Sequence, residues 1–243
     1  MSSEPAATPE YITRGQTVVE SRETPYQHLV IAHDPDYGYV LYLDDDLQIA
    51  ESDEAYHRTL MNPILQAGLS ERVLILGGGD GGVLKAAVQG GVEQATLVDI
   101  DGDVVALARE YLPGLCEEAF DAPNARLVIG DAFGWLDGSG TYDAIVYDLT
   151  MEPVREHQSR IAFIEEIVGR IASSLRPNGM LTMQCCSEHQ PDLRNEIHQA
   201  LARHFTAVAD YPVIIPSYHE RWIFANARYP VLAQLPADAS TRS

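Results

Sequence analysis

A short apolar strand running straight into a glycine-rich loop constrains this chain more than any other feature. Leu74-Ile75-Leu76 leads into Gly77-Gly78-Gly79-Asp80-Gly81-Gly82, and a helical stretch, Val83 to Gln89, follows. Glycines let a backbone turn sharply and approach a ligand closely, and this order of strand, loop and helix is that of a nucleotide-binding α/β sheet. Twenty-two residues after Gly77, Asp99 closes the next strand run. A carboxylate there can accept hydrogen bonds from both ribose hydroxyls. Asp131 follows a further run, Leu127 to Ile129. A glycine turn that serves packing alone is the competing reading, and the acids at successive strand ends weigh against it.

The pattern around the loop repeats. Val73 to Leu76, Ala95 to Val98, Leu127 to Ile129, Ala144 to Tyr147 and Met180 to Met183 are short apolar runs. Helical stretches separate them: Val83 to Gln89, Asp103 to Tyr111, and Ser159 to Leu175 with apolar residues at helical spacing. Pro177-Asn178-Gly179 is expected to stop the third helix, and Glu196 to His204 is expected to form another. Alternating strands and helices predict an α/β fold with a Rossmann-like, doubly wound, mostly parallel sheet. Val213 to Ile215 and Arg221 to Phe224 read as a closing hairpin. Upstream, Tyr11 to Val19, Gln27 to Ala32 and Tyr39 to Leu43 predict a small antiparallel β-sheet, with Tyr37-Gly38 as a turn and Asp44-Asp45-Asp46 as a breaker. The expected organisation is a tail at 1–9, an N-terminal β-hairpin domain with a linking helix at 10–65, a catalytic domain at 66–230, and a tail at 231–243.

Composition narrows the function. The 243 residues carry a formal charge of −20, which repels phosphate backbones and attracts cations. Nucleic acid is therefore not expected as a partner, although acidity that only maintains solubility explains the same number. No apolar run reaches the ~18 residues a membrane span needs, and the opening MSSEPAATPE has no signal-peptide character. Three cysteines, two of them adjacent, give no disulfide framework, so the expected location is cytoplasmic. The eight histidines show no metal-ligand spacing, and no metal is expected.

Asp80 distinguishes this loop from a dinucleotide loop. A carboxylate among the glycines repels a pyrophosphate, and equally the methionine carboxylate of S-adenosylmethionine, but welcomes an ammonium or sulfonium. It can also cap the following helix, alone or in addition.

The chain resembles the polyamine aminopropyltransferase family of spermidine and spermine synthases, and is most similar to the spermine synthase branch. The resemblance rests on YQHLVI (26–31), YGYVLYL (37–43), LQIAESDEAYHRTLM (47–61), VLILGGGDGGVLK (73–85), LVDID (97–101), VIGDA (128–132), YDAIVYDLT (142–150) and IPSYHERWIF (215–224). It implies a methyltransferase-like fold and decarboxylated S-adenosylmethionine as co-substrate, with no further cofactor. A polyamine, putrescine or spermidine, is the implied acceptor, and a homodimer or homotetramer is the implied assembly. Gln27 is implied at the nucleoside, Gly77 and Gly79 in the loop, Asp99 at the ribose, and Asp131 with Ala132 at the adenine. Asp80 would hold the aminopropyl arm, Asp148 would receive the attacking amine, and Tyr56 would stand beside that amine. Glu220, with Trp222 near it, would anchor the acceptor further out. Where spermidine synthases carry a D-S-S-D-P-like block, this chain reads Asp148-Leu149-Thr150-Met151-Glu152-Pro153. Met151 thus stands in place of a second acid, and a triamine such as spermidine is expected to serve as well as putrescine, or better.

The implied reaction fits these residue types. An amine with a pKa of about 10 is mostly protonated at neutral pH and has no lone pair to offer. A carboxylate must bind it and take a proton before it attacks the carbon beside the sulfonium. Simpler readings exist for each residue: Asp148 as a turn-forming acid, Tyr56 as an amphipathic-helix residue, Glu220 as a surface charge, His57 and His219 as structural or solvated histidines. Two other functions share much of the pattern, an S-adenosylmethionine-dependent methyltransferase and a catalytically silent polyamine-binding protein. Asp80 argues against the first; Asp148 and Tyr56 argue against the second.

Overall fold

The computed structural model describes residue 12 and residues 15–138, 140–153 and 157–231, so the expected tails fall outside it except for Val231. Four strands come first: β1 (Thr17–Glu23), β2 (His28–Asp34), β3 (Gly38–Leu43) and β4 (Asp46–Ala50), antiparallel and in sequence order. β1 runs on past the expected end at Val19 to a turn at Thr24–Gln27, where Thr24 N–H donates to the Gln27 carbonyl over 3.0 Å, while positions 11, 13 and 14 of the expected run lie outside the described residues. The acids after β3 do not break the sheet. Asp44 and Asp45 have φ of 47° and 71° and form a two-residue hairpin turn, Leu43 pairing with Asp46. Two left-handed residues match the twist of paired strands, and Asp tolerates that conformation better than most side chains. Asp44 also accepts the His28 N–H at 2.8 Å. β4 is thus a strand that the sequence pattern does not announce.

Helix α1 (Glu54–Gln66) leads from this sheet into the larger one. There follow β5 (Arg72–Gly77), α2 (Gly82–Gln89), β6 (Gln94–Asp99), α3 (Gly102–Tyr111), the short α4 (Pro113–Cys116), β7 (Ala125–Ile129), α5 (Ala132–Leu136) and β8 (Tyr142–Asp148). The chain continues through α6 (Arg160–Ser173), β9 (Leu175–Ser187), α7 (Pro191–His204), β10 (Phe205–Ile215), a 3₁₀ turn at Pro216–Tyr218, and β11 (Glu220–Pro230). The seven strands lie in the order β10-β11-β9-β8-β5-β6-β7. β5 to β9 are mutually parallel, and β11 and β10 close the edge antiparallel. The mostly parallel α/β fold with a small antiparallel sheet is the one expected.

Central strands covered on both faces read as unbroken apolar runs. Val73 and Ile75 of β5 enter one core with α1, α2, α3 and the inner face of the small sheet (Leu29, Ile31, Leu41, Ile49). Leu74 and Leu76 enter the opposite core with α5, α6 and α7. The alternate residues Val30, Ala32, Val40 and Tyr42 form a third cluster on the outer face of the small sheet.

Several boundaries differ from expectation. α6 is capped by Ser159, which accepts the Ala162 N–H, and it ends at Ser173, ahead of Pro177-Asn178-Gly179. That tripeptide lies inside β9, where pairing with β8 jumps from Tyr142–Leu175 to Ala144–Met180. Proline lacks the ladder donor, so it sits where register is broken. α7 starts at Pro191 rather than Glu196, with proline in the first turn, where its missing N–H costs no helical bond. The closing hairpin is longer than expected, Phe205 pairing with Pro230 and Ile215 with Glu220.

The junction of α1 with α2 is tight. A β-carbon on Gly82 would lie 2.2 to 2.4 Å from ring atoms of the buried His57. Gly82→Ala is therefore expected to lower the unfolding free energy by about 1–3 kcal/mol through overpacking, measured by denaturant titration against wild type.

Candidate active site

The C-terminal ends of β5, β6, β7 and β8 meet where the strand order reverses, between β5 and β8. Open α/β sheets bind ligands in the crevice at such a switch point. Gly77 is the register partner of Asp148 across that junction. Gly77 and Gly78 have φ of +80° and +70°. A β-carbon on Gly77 would lie 2.2 Å from the Asp148 carbonyl oxygen, and one on Gly78 would lie 3.0 Å from its Oδ2. Both the turn and the closeness of Asp148 thus demand glycine.

α1 brings the partner of Asp148. Tyr56, His57, Leu60, Met61 and Ile64 form its buried stripe, at the spacing of one helix face. Tyr56 packs edge-on against Phe224 at 5.1 Å and Tyr218 at 6.4 Å. Its hydroxyl donates to Asp148 Oδ1 at 2.5 Å. Burial, and then the Asp148 charge, hold the Tyr56 pKa well above the usual value, so this phenol acts as a donor. Burial raises the Asp148 pKa to about 7, with Asp80 adding to the rise and the Tyr56 hydrogen bond and His57 opposing it.

Asp80 has less spare charge than its position in the loop suggests. Its Oδ1 accepts the Gly82 N–H at 2.8 Å, at the start of α2. His57 Nε2 stands 2.8 Å from the same oxygen. Burial opposes a charge on His57, but Asp80, then Asp148 and Asp53, outweigh it and raise its pKa. His57, which local sequence does not distinguish from a structural histidine, thus faces the loop acid.

The Asp99 carboxylate accepts the Gly79 N–H and the Asp101 N–H, each at 2.9 Å. Burial raises its pKa against those hydrogen bonds. Asp101, 1% exposed, caps α3 through the Asp103 N–H and accepts from Thr24 Oγ1 at 2.8 Å and Gln27 Nε2 at 3.1 Å. Gln27 is thereby fixed at the Asp99 end of the crevice by Asp101, a residue that local sequence does not single out. Asp131 is exposed and caps α5, accepting the Phe133 N–H at 2.9 Å, with Ala132 buried behind it. Ile100 and Ile129 are 41% and 51% exposed, which leaves apolar surface beside Asp99 and Asp131.

The far wall comes from β9 and β11. Glu220 Oε2 accepts from Ser187 Oγ at 2.5 Å and lies 3.7 Å from His189 Nε2. Trp222 Nε1 donates to Gln184 Oε1 at 2.9 Å, and Gln184 Nε2 donates to the Leu149 carbonyl at 2.6 Å. That chain of bonds ties Trp222 to the loop after Asp148. Met151 is 7% exposed and packs into the core beneath. The structure thus gathers Tyr56, Asp80, Asp99 and Asp148 around the glycine loop, with Gln27 and Asp131 towards one end and Glu220 and Trp222 on another wall. His219 lies beside Tyr37, 3.4 Å from its hydroxyl. Among the described residues, no group of three or more His, Cys, Asp or Glu is placed to hold a metal, and no helix is long and apolar enough to cross a membrane.

This is an α/β nucleotide-binding fold whose switch-point crevice is lined by acids. Residues 53–228 match the spermine/spermidine synthase domain. The chain is 36% identical over 231 residues to a polyamine aminopropyltransferase of Pyrobaculum calidifontis, covering 91% of this chain and 80% of that protein. It is 34% identical to one from a Synechococcus species, covering 93% and 76%. Two spermidine synthase crystal structures superpose on it, each at 26% identity and covering 87% of this chain and 72% of the other. One contains the transition-state analogue AdoDATO and has a TM-score of 0.75; the other, from Thermotoga maritima, has a TM-score of 0.76. The chain belongs to the spermine/spermidine synthase family and is an aminopropyltransferase.

A carboxyl that titrates at about 7 places a limb in the pH profile. A base at this position would act as the carboxylate, so with Asp148 in that role kcat/KM, which reports the free enzyme, is expected to rise as pH climbs through about 7. Tyr56→Phe removes the hydrogen bond that lowers this pKa and is expected to move the limb to higher pH. Initial rates across pH 5–9 for both proteins check it, and a Tyr56→Phe limb at unchanged or lower pH would count against Asp148 as its source.

Proposed function

We propose that this enzyme transfers the aminopropyl group of decarboxylated S-adenosylmethionine to an amine of a polyamine and releases 5′-methylthioadenosine. The observation that carries this reading is the Asp148 carboxyl, bonded to Tyr56 at 2.5 Å and set against the glycine loop that holds Asp80. The acceptor enters as an ammonium, and Asp148 takes one proton. The freed nitrogen lone pair forms a bond to the carbon beside sulfur, the carbon–sulfur bond breaks, and its electron pair returns to sulfur as a neutral thioether. An ordinary aspartate lies about six pKa units below an aliphatic amine. With Asp148 at about 7 the gap is about three units, which makes the proton transfer less uphill.

On this reading Asp99 holds the ribose, Asp131 and Ala132 meet the adenine edge, and the exposed Ile100 and Ile129 cover its faces. Gln27, steadied by Asp101, closes the nucleoside end. Asp80 faces the aminopropyl ammonium, with Gly77 and Gly79 leaving room for the approach. Glu220 and Trp222 line the path of the acceptor's far end. The small sheet with α1 serves as one working part and residues 66–230 as the other. A cytosolic homodimer or homotetramer, without nucleic-acid partners, fits the family and the charge.

A methyltransferase would share the fold and Asp99, but its donor carries an extra carboxylate. Two like charges about 4 Å apart cost roughly 4 kcal/mol at an effective dielectric of 20, and His57 offsets only part of what Asp80, Asp99 and Asp148 contribute. Mass spectrometry of products formed from each donor is expected to show aminopropyl transfer and no methyl transfer. Asp148→Asn is expected to cut turnover by about 10²–10⁴ while 5′-methylthioadenosine still binds. Methylated amine as the main product would sink the proposal.

The acceptor follows from Met151 and Glu220. Because Met151 is buried and apolar, the wall near Asp148 offers no second carboxylate at that position. A triamine can reach on towards Glu220. With spermidine and putrescine in equal amounts, spermidine is expected to be consumed at least as fast, and Glu220→Gln is expected to raise its KM more than that of putrescine. Exclusive use of putrescine would refute this preference.

A further inference from the structure

Asp53 immediately precedes α1 and is fully buried. A carboxylate in that position usually caps its own helix. Here its side chain makes no capping bond. One oxygen, Oδ2, accepts the Ala50 N–H at 2.8 Å, at the end of the small sheet. The same oxygen accepts from Ser217 Oγ at 2.5 Å, and Oδ1 accepts the Ser217 N–H at 3.2 Å, across 164 residues of chain. Its backbone carbonyl accepts the Tyr56 N–H at 2.9 Å. One residue therefore joins three segments: the exit from β4, the first turn of α1, and the 3₁₀ turn Pro216–Tyr218.

Those segments carry the two sides of the acceptor path. α1 presents Tyr56 to Asp148. The 3₁₀ turn presents Tyr218, whose ring lies between Tyr56 at 6.4 Å and Trp222 at 5.2 Å and whose hydroxyl donates to the Gln48 carbonyl. Glu220 follows three residues after Ser217. The span from Asp148 to Glu220 measures the acceptor, and among the described residues Ser217–Asp53 and Tyr218–Gln48 are the side-chain hydrogen bonds that fasten this turn to the β4–α1 segment.

We infer that Asp53 is a positioning residue for the acceptor: its carboxylate clamps the Ser217–Tyr218 turn to the start of α1 and so fixes where Glu220 stands relative to Tyr56 and Asp148. Asp53 touches neither substrate. The inference rests on the proposed acceptor path for its consequence, but the clamp itself can be read without turnover.

Asp53→Asn keeps the shape, and its one acceptor oxygen can still serve the Ala50 N–H and the Ser217 hydroxyl, but its NH2 then faces the Ser217 N–H, which loses its acceptor, and the charge that strengthens the other bonds is gone. Ser217→Ala removes the hydroxyl link and keeps the backbone one. Hydrogen exchange on the full chain is expected to quicken by about tenfold at 217–219 in Asp53→Asn, the scale of one lost charge-assisted bond, with β5 and β6 unchanged. Spermidine KM is expected to rise by about tenfold, that for the donor by less than about twofold, and the double variant to fall short of the product of the single effects. Unchanged exchange at 217–219 overturns the clamp, whether or not the protein makes aminopropyl products. Faster exchange with donor and acceptor KM rising by the same factor overturns the positioning role and leaves a structural one. Should Asp53→Asn fail to fold, Ser217→Ala alone decides: an acceptor KM within about twofold of wild type refutes the inference, and a selective rise supports it.

Discussion

β8 ends beside β5 with Asp148 opposite Gly77, and the backbones approach so closely that no side chain larger than hydrogen fits at that glycine. Asp148 is thereby pressed against the glycine loop and partly shielded from water, and burial is the first cause of its raised pKa. Tyr56 then matters. A carboxylate with reduced access to water needs a donor, and the phenol supplies one while its ring packs beside the crevice. The helix that carries Tyr56 must in turn lie across the strand ends, which it does by burying Leu60, Met61 and Ile64 in the core shared by both sheets. The position of the small sheet follows from the same constraint.

The acids around that point repel one another. Asp148 is raised by Asp80 and Asp99, and Asp99 by Asp101 and Asp80. His57 is the protein's partial answer, held at 2.8 Å from Asp80 with a raised pKa. One imidazole does not balance several carboxylates, so the crevice retains an unmet demand for positive charge. On the proposed reading a sulfonium and one or two ammonium groups supply it, and each cation that binds favours the ionised form of Asp148, the form able to take a proton, while lowering its basicity.

The features legible in the sequence were those fixed locally. The glycine loop, the acids at the ends of β6, β7 and β8, and the apolar strands announce themselves, because turn geometry and double-sided burial leave few other residues possible. Asp44-Asp45 misled because acids signal a break, whereas their tolerance of positive φ lets them close a two-residue hairpin. Pro177-Asn178-Gly179 misled similarly, since a broken register accepts proline as readily as a helix end does. His57, Asp53, Asp101 and Ser217 could not be assigned at all. Their partners lie 23, 164, 74 and 164 residues away, and nothing in a local window records such pairings.

On the proposed reading the crevice has a donor side and an acceptor side, and the two are built differently. The donor side consists of parallel strand ends and helix caps, where Asp99, Asp101 and Asp131 each also hold a backbone N–H of the fold. Altering them disturbs helix starts as well as ligand contacts. The acceptor side consists of segments joined by side-chain bonds: Trp222 to Gln184 to the Leu149 carbonyl, Glu220 to Ser187, Tyr218 to Gln48. Met151 can be buried there, where a D-S-S-D-P-like block has an acid, without disturbing any strand, because the loop after β8 carries no ladder bond at that residue. On that reading the architecture fixes the donor side through the backbone of the fold and leaves acceptor length to a few side chains, which is the division of labour expected of one fold that serves amines of several lengths.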